Sequence, residues 1–220
     1  PTICLITDNP GSPPEFYRML QYHMGWLDET GKEIQSNTGK RIRPALCLLS
    51  AMAAGGSRDR ARPAAAGVEL IHNFSLLHDD IQDQSPTRRN RQTVWRVWGG
   101  PQAINAGDSM FALAHLAIPR LAPPDMPAEL TATMLTIIDE TSLELTRGQH
   151  LDMQFEKHQS VTTDEYLDMV AGKTAALIGA SATLGAISAG ADGATQRRYS
   201  EFGRTLGMAF QIEDDMLDIW

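Results

Sequence analysis

The sequence lacks the features of a nucleic-acid-binding, disulfide-rich or zinc protein. Its 220 residues carry a net charge of −8, and no run of lysine and arginine offsets that acidity. An acidic chain repels nucleic acid and anionic surfaces. The two cysteines, Cys4 and Cys47, lie far apart and belong to no CxxC or Cys/His cluster. These absences argue against a zinc site and a disulfide framework, and they predict a cytoplasmic protein that binds no nucleic acid.

Long apolar runs and β-strand patterns are also missing. No stretch of about 20 apolar residues is present to span a bilayer, and the N-terminus lacks a signal-peptide pattern. We therefore predict no integral membrane segment. Alternating β-branched runs are almost absent, whereas 42% of the residues are hydrophobic and 21% are charged. This composition and length predict one globular domain over residues 1–220 with one substantial core.

Apolar residues recur at spacings of three and four, as in helices. Pro13 and Pro14 are placed to start a helix that runs through about Ile34. Further helices are predicted over 44–54, 63–83, 101–118, 126–156, 163–190 and 194–219. Thr162 or Thr163 is expected to cap the start of one of them. Residues 174–191 are apolar on all sides, which places them in the interior or at a subunit interface. The fold class is all-α, a large antiparallel helix bundle.

Two identical acidic clusters stand out. In each DDxxD cluster the outer carboxylates lie four residues apart, on one helix face and about 6 Å from each other. Such crowded charges repel unless solvent or cations neutralise them, and Mg²⁺ suits carboxylates that leave room for phosphate oxygens. One cluster alone is a weak signal, because it is often an exposed acidic helix end, but two are far less frequent by chance. The predicted metal ligands are Asp79, Asp80, Asp83, Asp214, Asp215 and Asp218.

Basic and polar residues lie where they can bind anions beside these clusters. Lys40 and Arg43 follow Gly39 at the entrance to a helix and can grip a diphosphate. Lys173 and Thr174 are expected to open the apolar helix 174–190, so that its positive end faces an anion. Further candidates follow or share a helix with the acidic clusters: His72, Arg88, Arg89 and Gln211. Each of these has a simpler interpretation as a solvated surface or packing residue.

Taken in order from Gly39 to Asp218, these motifs resemble the trans-prenyl diphosphate synthase (polyprenyl synthetase) family. The resemblance implies an isoprenoid synthase fold, in which helices surround a deep central cavity, usually as a homodimer. It implies head-to-tail condensation of isopentenyl diphosphate with an allylic prenyl diphosphate, which releases pyrophosphate and requires about three Mg²⁺ ions. The product type is suggested by three features: an aromatic residue at Phe74, a small neighbour at Ser75 and no insertion inside DDxxD. They resemble the geranylgeranyl diphosphate (C20) type, with farnesyl diphosphate (C15) as the next expectation.

The resemblance also implies individual roles. Both aspartate clusters would hold the metal ions. Isopentenyl diphosphate would be bound by Lys40, Arg43, His72 and Arg89. The allylic diphosphate would be bound by Arg88, Lys173, Thr174 and Gln211, among which Arg88, Lys173 and Gln211 act in catalysis. Product length would depend on Phe74 and Ser75. Gln149 and Asp152 recur in the family pattern, with a packing role equally open, while the family usually has Gly at the position of Asn90 and often Pro near Gln92.

Two alternatives stay open from the sequence. A class I terpene cyclase shares the fold and one DDxxD, but its second metal motif typically mixes Asn, Ser and Glu. A catalytically silent subunit that regulates a partner synthase usually loses one cluster, and this chain keeps both. Family members also continue well beyond the position of Trp220 and usually begin earlier. The resemblance therefore predicts a domain that is incomplete at its C-terminus, with its N-terminal boundary left open.

Overall fold

The computed structural model describes residues 14–34 and 39–219, with side chains described through residue 217. These residues form a bundle of helices with one short hairpin, which confirms the all-α prediction. In chain order the elements are α1 (Pro14–His23), α2 (Ile42–Ala53), α3 (Arg58–Gln82), β1 (Thr87–Arg88), β2 (Arg91–Gln92), α4 (Val94–Trp98), α5 (Gly100–Leu121), α6 (Ala128–Phe155), α7 (Thr163–Val170), a π-helical turn (Ala171–Ala175), α8 (Ala176–Ser188) and α9 (Gly193–Ile219).

The first predicted helix is correct in its first half and wrong in its second. Helix α1 ends at His23, not near Ile34, and a turn follows instead. Gly25 and Gly31 adopt φ values of 77° and 90°, which residues with a side chain rarely adopt. The Asp28 carboxylate also accepts hydrogen bonds from the backbone amides of Thr30 and Lys32. Such local bonds compete with helical ones and end the helix early.

Helices α2 and α3 begin earlier than predicted. Helix α3 starts at Arg58, because the Ser57 hydroxyl accepts a hydrogen bond from the amide of Arg60 and caps the helix. Pro63, expected to open this helix, instead lies inside it and is buried. Proline has no amide hydrogen, so Pro63 cannot donate the helical hydrogen bond to the carbonyl of Asp59. Helix α3 extends to Gln82 and carries the first acidic cluster on its last turns.

The hairpin β1–β2 and the short helix α4 were not predicted. Thr87 pairs with Gln92 and Arg88 with Arg91, around the two-residue turn Arg89–Asn90. These strands are two residues long, too short to show an alternating pattern. Both turn residues have positive φ, 53° and 63°, as a type I′ turn requires. Asparagine tolerates this conformation, so it can stand where the family usually has glycine.

The prediction that a helix starts at Lys173 is wrong, because helical structure runs from Thr163 to Ser188. Thr162 caps α7 as predicted, in a capping box with Glu165. The chain then continues through the π-helical turn into α8 without a break, so Lys173 and Thr174 lie inside a helical run. No helix N-terminus points at an anion there, because the amides of this turn bond within the helix. Single π-helical turns recur at functional sites, since they displace side chains from the regular helix face.

Helix α8 forms the centre of the bundle. Every residue from Ala176 to Ser188 except Thr183 is buried, which confirms the predicted interior position of this segment. Helices α2, α3, α6 and α9 pack against it. Within residues 14–34 and 39–219, one helical run, Thr163–Ser188, is long and apolar enough to cross a membrane, and 83% of its most apolar window is buried. The core helix of a folded domain passes the same test.

Candidate active site

The first acidic cluster divides into a buried carboxylate and two more accessible ones. Asp80 is 2% exposed and accepts a 2.8 Å hydrogen bond from Nε of Arg88. Asp79 is half-buried, and Asp83 is exposed on the same face. Burial, opposed by Lys173 and reinforced by Asp83, raises the pKa of Asp79 to about 6. Burial also raises the pKa of Asp80, and Arg88 opposes that shift. Arg88 therefore compensates Asp80, while Asp79 has no ion pair within the described part of the chain.

In the second cluster, two hydrogen bonds orient Asp215. Asp215 accepts bonds from the Tyr166 hydroxyl at 2.5 Å and from Nε2 of Gln211 at 2.8 Å. Burial and the Asp215 carboxylate raise the pKa of Tyr166 to about 12, so the phenol keeps its proton. Asp214 is exposed and lines the basic cavity described next. The side chain of Asp218 lies outside the described residues. Sequence reasoning did not find Tyr166, because it comes from a different helix.

A basic cavity of about 400 Å³ lies between α2, α3, the hairpin and α9. It contains all four residues predicted to bind isopentenyl diphosphate, and also Asp214. Gly39 permits this arrangement, because a Cβ there would lie 2.9 Å from Nη2 of Arg89. The lining residues are Lys40, Arg41, Ile42, Arg43, Glu69, His72, Arg89, Phe210 and Asp214.

Burial shifts the pKa values of two residues that line this cavity, His72 and Glu69. Nη1 of Arg43 lies 3.3 Å from Nε2 of His72. Burial first, and then the neighbouring Arg43 and Arg89, hold the pKa of His72 well below its usual value, so the ring is neutral and can accept from Arg43. Glu69 is 8% exposed, and burial raises the pKa of its carboxyl. It is the buried acid among these arginines, and no sequence motif indicated it.

Lys173 and Thr174 are each held by a neighbour from another helix. The Lys173 ammonium pairs with Asp152 of α6. The Thr174 hydroxyl donates to Oε1 of Gln211 at 2.7 Å. Gln211 therefore joins Thr174 to Asp215 of the second cluster, which its sequence position did not reveal. The pairing with Lys173 gives Asp152 a specific contact, where its sequence pattern left a packing role equally open.

A second cavity, of about 220 Å³, opens beside Asp79 and is lined mainly by apolar surface. Phe74 and Ser75, the residues predicted to limit product length, line it. Phe74 packs between His78 and Phe111, with ring centroids 4.9 and 5.2 Å away. A further cavity, of about 430 Å³, shares Phe74, His78 and Thr146 with this 220 Å³ cavity. The Phe74 ring therefore lines both cavities.

The comparison with known families decides the assignment. The polyprenyl synthetase family model matches residues 24–220. The chain belongs to the polyprenyl synthetase family. It is 46% identical over 207 residues to a (2E,6E)-farnesyl diphosphate synthase of Mycobacterium tuberculosis, and 42% identical over 202 residues to a geranylgeranyl diphosphate synthase of the same species. These matches cover 94% and 92% of this chain but 56% and 57% of the relatives, so the chain spans little more than half their length.

Solved polyprenyl synthetase structures confirm the isoprenoid synthase fold. A polyprenyl synthetase from Streptomyces coelicolor superposes with a TM-score of 0.88 at 38% identity, over 98% of this chain and 62% of that one. A geranylgeranyl pyrophosphate synthetase from Pyrococcus horikoshii gives 0.86 at 42% identity, over 99% and 62%.

The polyprenyl synthetase site fits a cation that is shared with a substrate. Across residues 14–34 and 39–217, no three His, Cys, Asp or Glu side chains converge into a closed metal site. The available donors are hard carboxylate oxygens, and Asp79 is destabilised by burial and by its acidic neighbours. Mg²⁺ prefers such oxygens, and it is usually held by one or two carboxylates together with substrate phosphates. The donor set therefore fits Mg²⁺ bound with a diphosphate, as is general in this family.

Proposed function

We propose that this protein catalyses the magnesium-dependent head-to-tail condensation of isopentenyl diphosphate with an allylic prenyl diphosphate. One observation carries this proposal: Asp214 of the second acidic cluster lines a basic cavity, and Asp79 of the first lines a separate, mainly apolar cavity. A cation-lined cavity suits a diphosphate, and an apolar cavity suits a prenyl chain. Two substrates, each with its own anionic group, need such an arrangement.

Each set of residues has a proposed task. Lys40, Arg43, His72 and Arg89 hold isopentenyl diphosphate so that its double bond faces the allylic carbon. Arg88, Lys173, Thr174 and Gln211 bind the allylic diphosphate. The allylic C–O bond breaks, the double bond of isopentenyl diphosphate attacks the allyl cation to form a C–C bond, and the departing pyrophosphate takes the proton that is lost.

The aspartates hold cations and attack nothing. Bound Mg²⁺ supplies the charge that stabilises the leaving pyrophosphate. Asp79 and Asp83 are the accessible carboxylates of the first cluster and Asp214 of the second. Arg88 offsets the charge of buried Asp80, and the bonds from Tyr166 and Gln211 orient Asp215. About three ions and the ligand role of Asp218 are part of this proposal.

The two alternative functions leave part of this site without a task. A terpene cyclase has a single diphosphate substrate, so the cavity around Lys40 and Arg43 would have nothing to bind. A silent regulatory subunit needs neither the buried Asp80–Arg88 pair nor the Lys173–Asp152 pair. The prenyltransferase proposal uses all of them.

Consumption of isopentenyl diphosphate separates the three functions. We expect the protein to incorporate radiolabelled isopentenyl diphosphate into an allylic primer with Mg²⁺ and to lose this activity with a chelator. Primers of C5, C10 and C15 length identify the preferred allylic substrate. Magnesium-dependent release of pyrophosphate from the primer alone would instead indicate a cyclase. No turnover alone, with stimulation of an added synthase, would indicate a regulatory subunit.

We propose a product of C20 or C15 length, limited by Phe74. Both farnesyl and geranylgeranyl diphosphate synthases are among the relatives. Replacing Phe74 with alanine should enlarge the space beside Asp79, because the Phe74 ring lines both the cavity that contains Asp79 and the neighbouring one.

For Phe74→Ala we expect longer products in chromatography, with at least one added C5 unit and a retained consumption rate. Phe202→Ala, which removes an exposed ring on α9, serves as the matched control and should leave product length unchanged. An unchanged product distribution in Phe74→Ala would show that Phe74 does not form the floor.

Further proposals concern the assembly and setting of the protein. We propose a single domain that works as a homodimer in the cytoplasm. Exposed apolar side chains on α5 and α6, Ile104, Leu116 and Leu143, would favour pairing of two copies through these helices. Sedimentation of the purified protein measures its oligomeric state.

A further inference from the structure

Arg91 is occupied by contacts with the end of α1 and with the turn that follows it. Its Nη1 donates to the carbonyl of Tyr22 at 2.9 Å, and its Nη2 donates to the carbonyl of Leu27 at 2.7 Å. The guanidinium carbon also lies 3.9 Å from the centroid of the Tyr22 ring, a distance suited to a cation–π contact. Both terminal nitrogens and one face of Arg91 are thus engaged by the protein itself. This arginine differs from Arg88 and Arg89, although all three belong to one hairpin.

Tyr22 makes further contacts with the hairpin and with α4. Its hydroxyl donates to the carbonyl of Gln92 at 2.8 Å. Its ring also packs edge-on against Trp98 of α4, with centroids 4.9 Å apart. Residues Tyr22–Leu27 are therefore joined to the hairpin by two arginine hydrogen bonds, one tyrosine hydrogen bond and the Arg91–Tyr22 contact, and to α4 by the ring contact with Trp98. We refer to this set of contacts as the clasp.

The hairpin needs an external support of this kind. Its strands are only two residues long, and an isolated two-stranded hairpin is marginal in water even when it is longer. Arg89 also holds a left-handed backbone with φ of 53°, which is unfavourable for a long side chain. Strained residues persist at functional sites only where their surroundings fix them. The position of Arg89 therefore depends on what holds the hairpin.

The clasp also closes a small polar cavity beneath the hairpin. This cavity, of about 20 Å³, is lined by Tyr22, His23, Asp80, Arg88, Arg89 and Arg91 among others. Nε2 of His23 and Oδ2 of Asp80 are both buried there, without a hydrogen-bond partner among the described residues. The volume suits about one water molecule. Two residues of the clasp, Tyr22 and Arg91, therefore line the same cavity as the Asp80–Arg88 pair, at the base of the hairpin.

We infer that Arg91 is a positioning residue, which fixes Arg88 and Arg89 by fastening their hairpin to residues Tyr22–Leu27. It does so through geometry, because its charge is already directed at backbone carbonyls and the Tyr22 ring. This inference rests on the proposed function, in which Arg89 binds isopentenyl diphosphate. It adds a residue whose task is to hold the binding arginines in place.

The charge-conserving substitution gives the first test. In the full chain, Arg91→Ala should raise the KM for isopentenyl diphosphate about tenfold, with a smaller change in kcat. Arg91→Lys should resemble Arg91→Ala, because a single ammonium does not reproduce the planar guanidinium that donates to two separate carbonyls. A lysine variant with wild-type KM would contradict the inference, since it would show that charge alone is needed.

A double-mutant cycle with Arg89 gives the second test. If Arg91 acts through Arg89, then Arg91→Ala should change the KM little in an Arg89→Ala background, so the two effects are not additive. Full additivity would show that Arg91 acts independently of Arg89. Arg96→Ala is the matched control, because Arg96 is exposed and stands over a tryptophan ring at 5.4 Å, outside the clasp. It should leave both kinetic constants unchanged.

Hydrogen exchange tests the clasp without any substrate. In Arg91→Ala, amide exchange should accelerate in residues 22–27 and 87–92, while α8 stays protected. Equal protection in both proteins would contradict the inference even if kinetics change. Global loss of protection would mark a folding defect, and Tyr22→Phe, which removes only the hydroxyl bond to Gln92, then provides the milder variant. An inactive wild type with accelerated exchange in Arg91→Ala would count against the proposed function alone.

Discussion

Replacing Asp79 with asparagine is expected to lower magnesium-dependent condensation by about a thousandfold or more, or about 4 kcal/mol of transition-state stabilisation. Asp79 is the carboxylate that joins the acidic cluster to the apolar cavity. An amide is neutral and binds Mg²⁺ more weakly than a carboxylate does. Initial rates over a range of Mg²⁺ concentrations measure the loss, and part of it should be recovered at high metal concentration.

The same substitution should stabilise the metal-free protein. The pKa of Asp79 is raised to about 6, so its ionised form opposes folding, and this group's contribution to stability is lost as the pH rises through about 6. Asparagine removes that charge. Thermal unfolding at pH 7 without metal should therefore show a higher Tm for Asp79→Asn. Asp80→Asn should raise the Tm less, because Arg88 already offsets part of the cost of burying the Asp80 charge.

Asp59→Asn is the matched control for both measurements. Asp59 is exposed at the start of the same helix and pairs only with Arg62 on the surface. Surface ion pairs contribute little to stability, so activity and Tm should stay near wild type. Wild-type turnover in Asp79→Asn, with an unchanged need for Mg²⁺, would show that Asp79 does not hold the metal.

A methyl group at Gly148 should damage the site from a distance. Helix α6 crosses the π-helical turn there, and a Cβ on Gly148 would lie 2.1 Å from the backbone nitrogen of Lys173 and 2.6 Å from the carbonyl carbon of Gly172. Backbone atoms inside a helical run move only together, so the two elements must separate. We expect Gly148→Ala to lower the free energy of unfolding by about 2–3 kcal/mol.

The same change should reduce turnover, because it displaces Lys173 relative to Asp152. A displacement of about 1 Å in a binding group is enough for a loss of about a hundredfold. Chemical denaturation and steady-state kinetics measure the two effects. Gly100→Ala is the control, since a Cβ there meets no atom within 4 Å. If Gly148→Ala kept both wild-type stability and wild-type kcat, the close crossing would not position Lys173.

Much of the fold was predictable because it depends on local patterns. The long helices α5, α6 and α9 follow from three- and four-residue apolar spacing, and their observed bounds lie close to the predicted ones. The capping box at Thr162 is equally local. The errors occur where short-range competitors decide the structure. The Asp28 turn ends α1 early, and the left-handed pair Arg89–Asn90 forms a hairpin too short to leave a pattern.

The candidate site shows the same difference between what the sequence predicts and what it does not. The sequence by itself indicated the candidate site residues, because two DDxxD clusters and their basic neighbours are rare combinations that specify charge and donor type. Only the tertiary structure decided their partners: Asp80 with Arg88, Lys173 with Asp152, Thr174 with Gln211, and Asp215 with Tyr166. It also showed that Arg91 joins a turn some sixty residues earlier in the chain. Such contacts depend on how helices pack, and packing brings together residues whose separation along the chain follows no period.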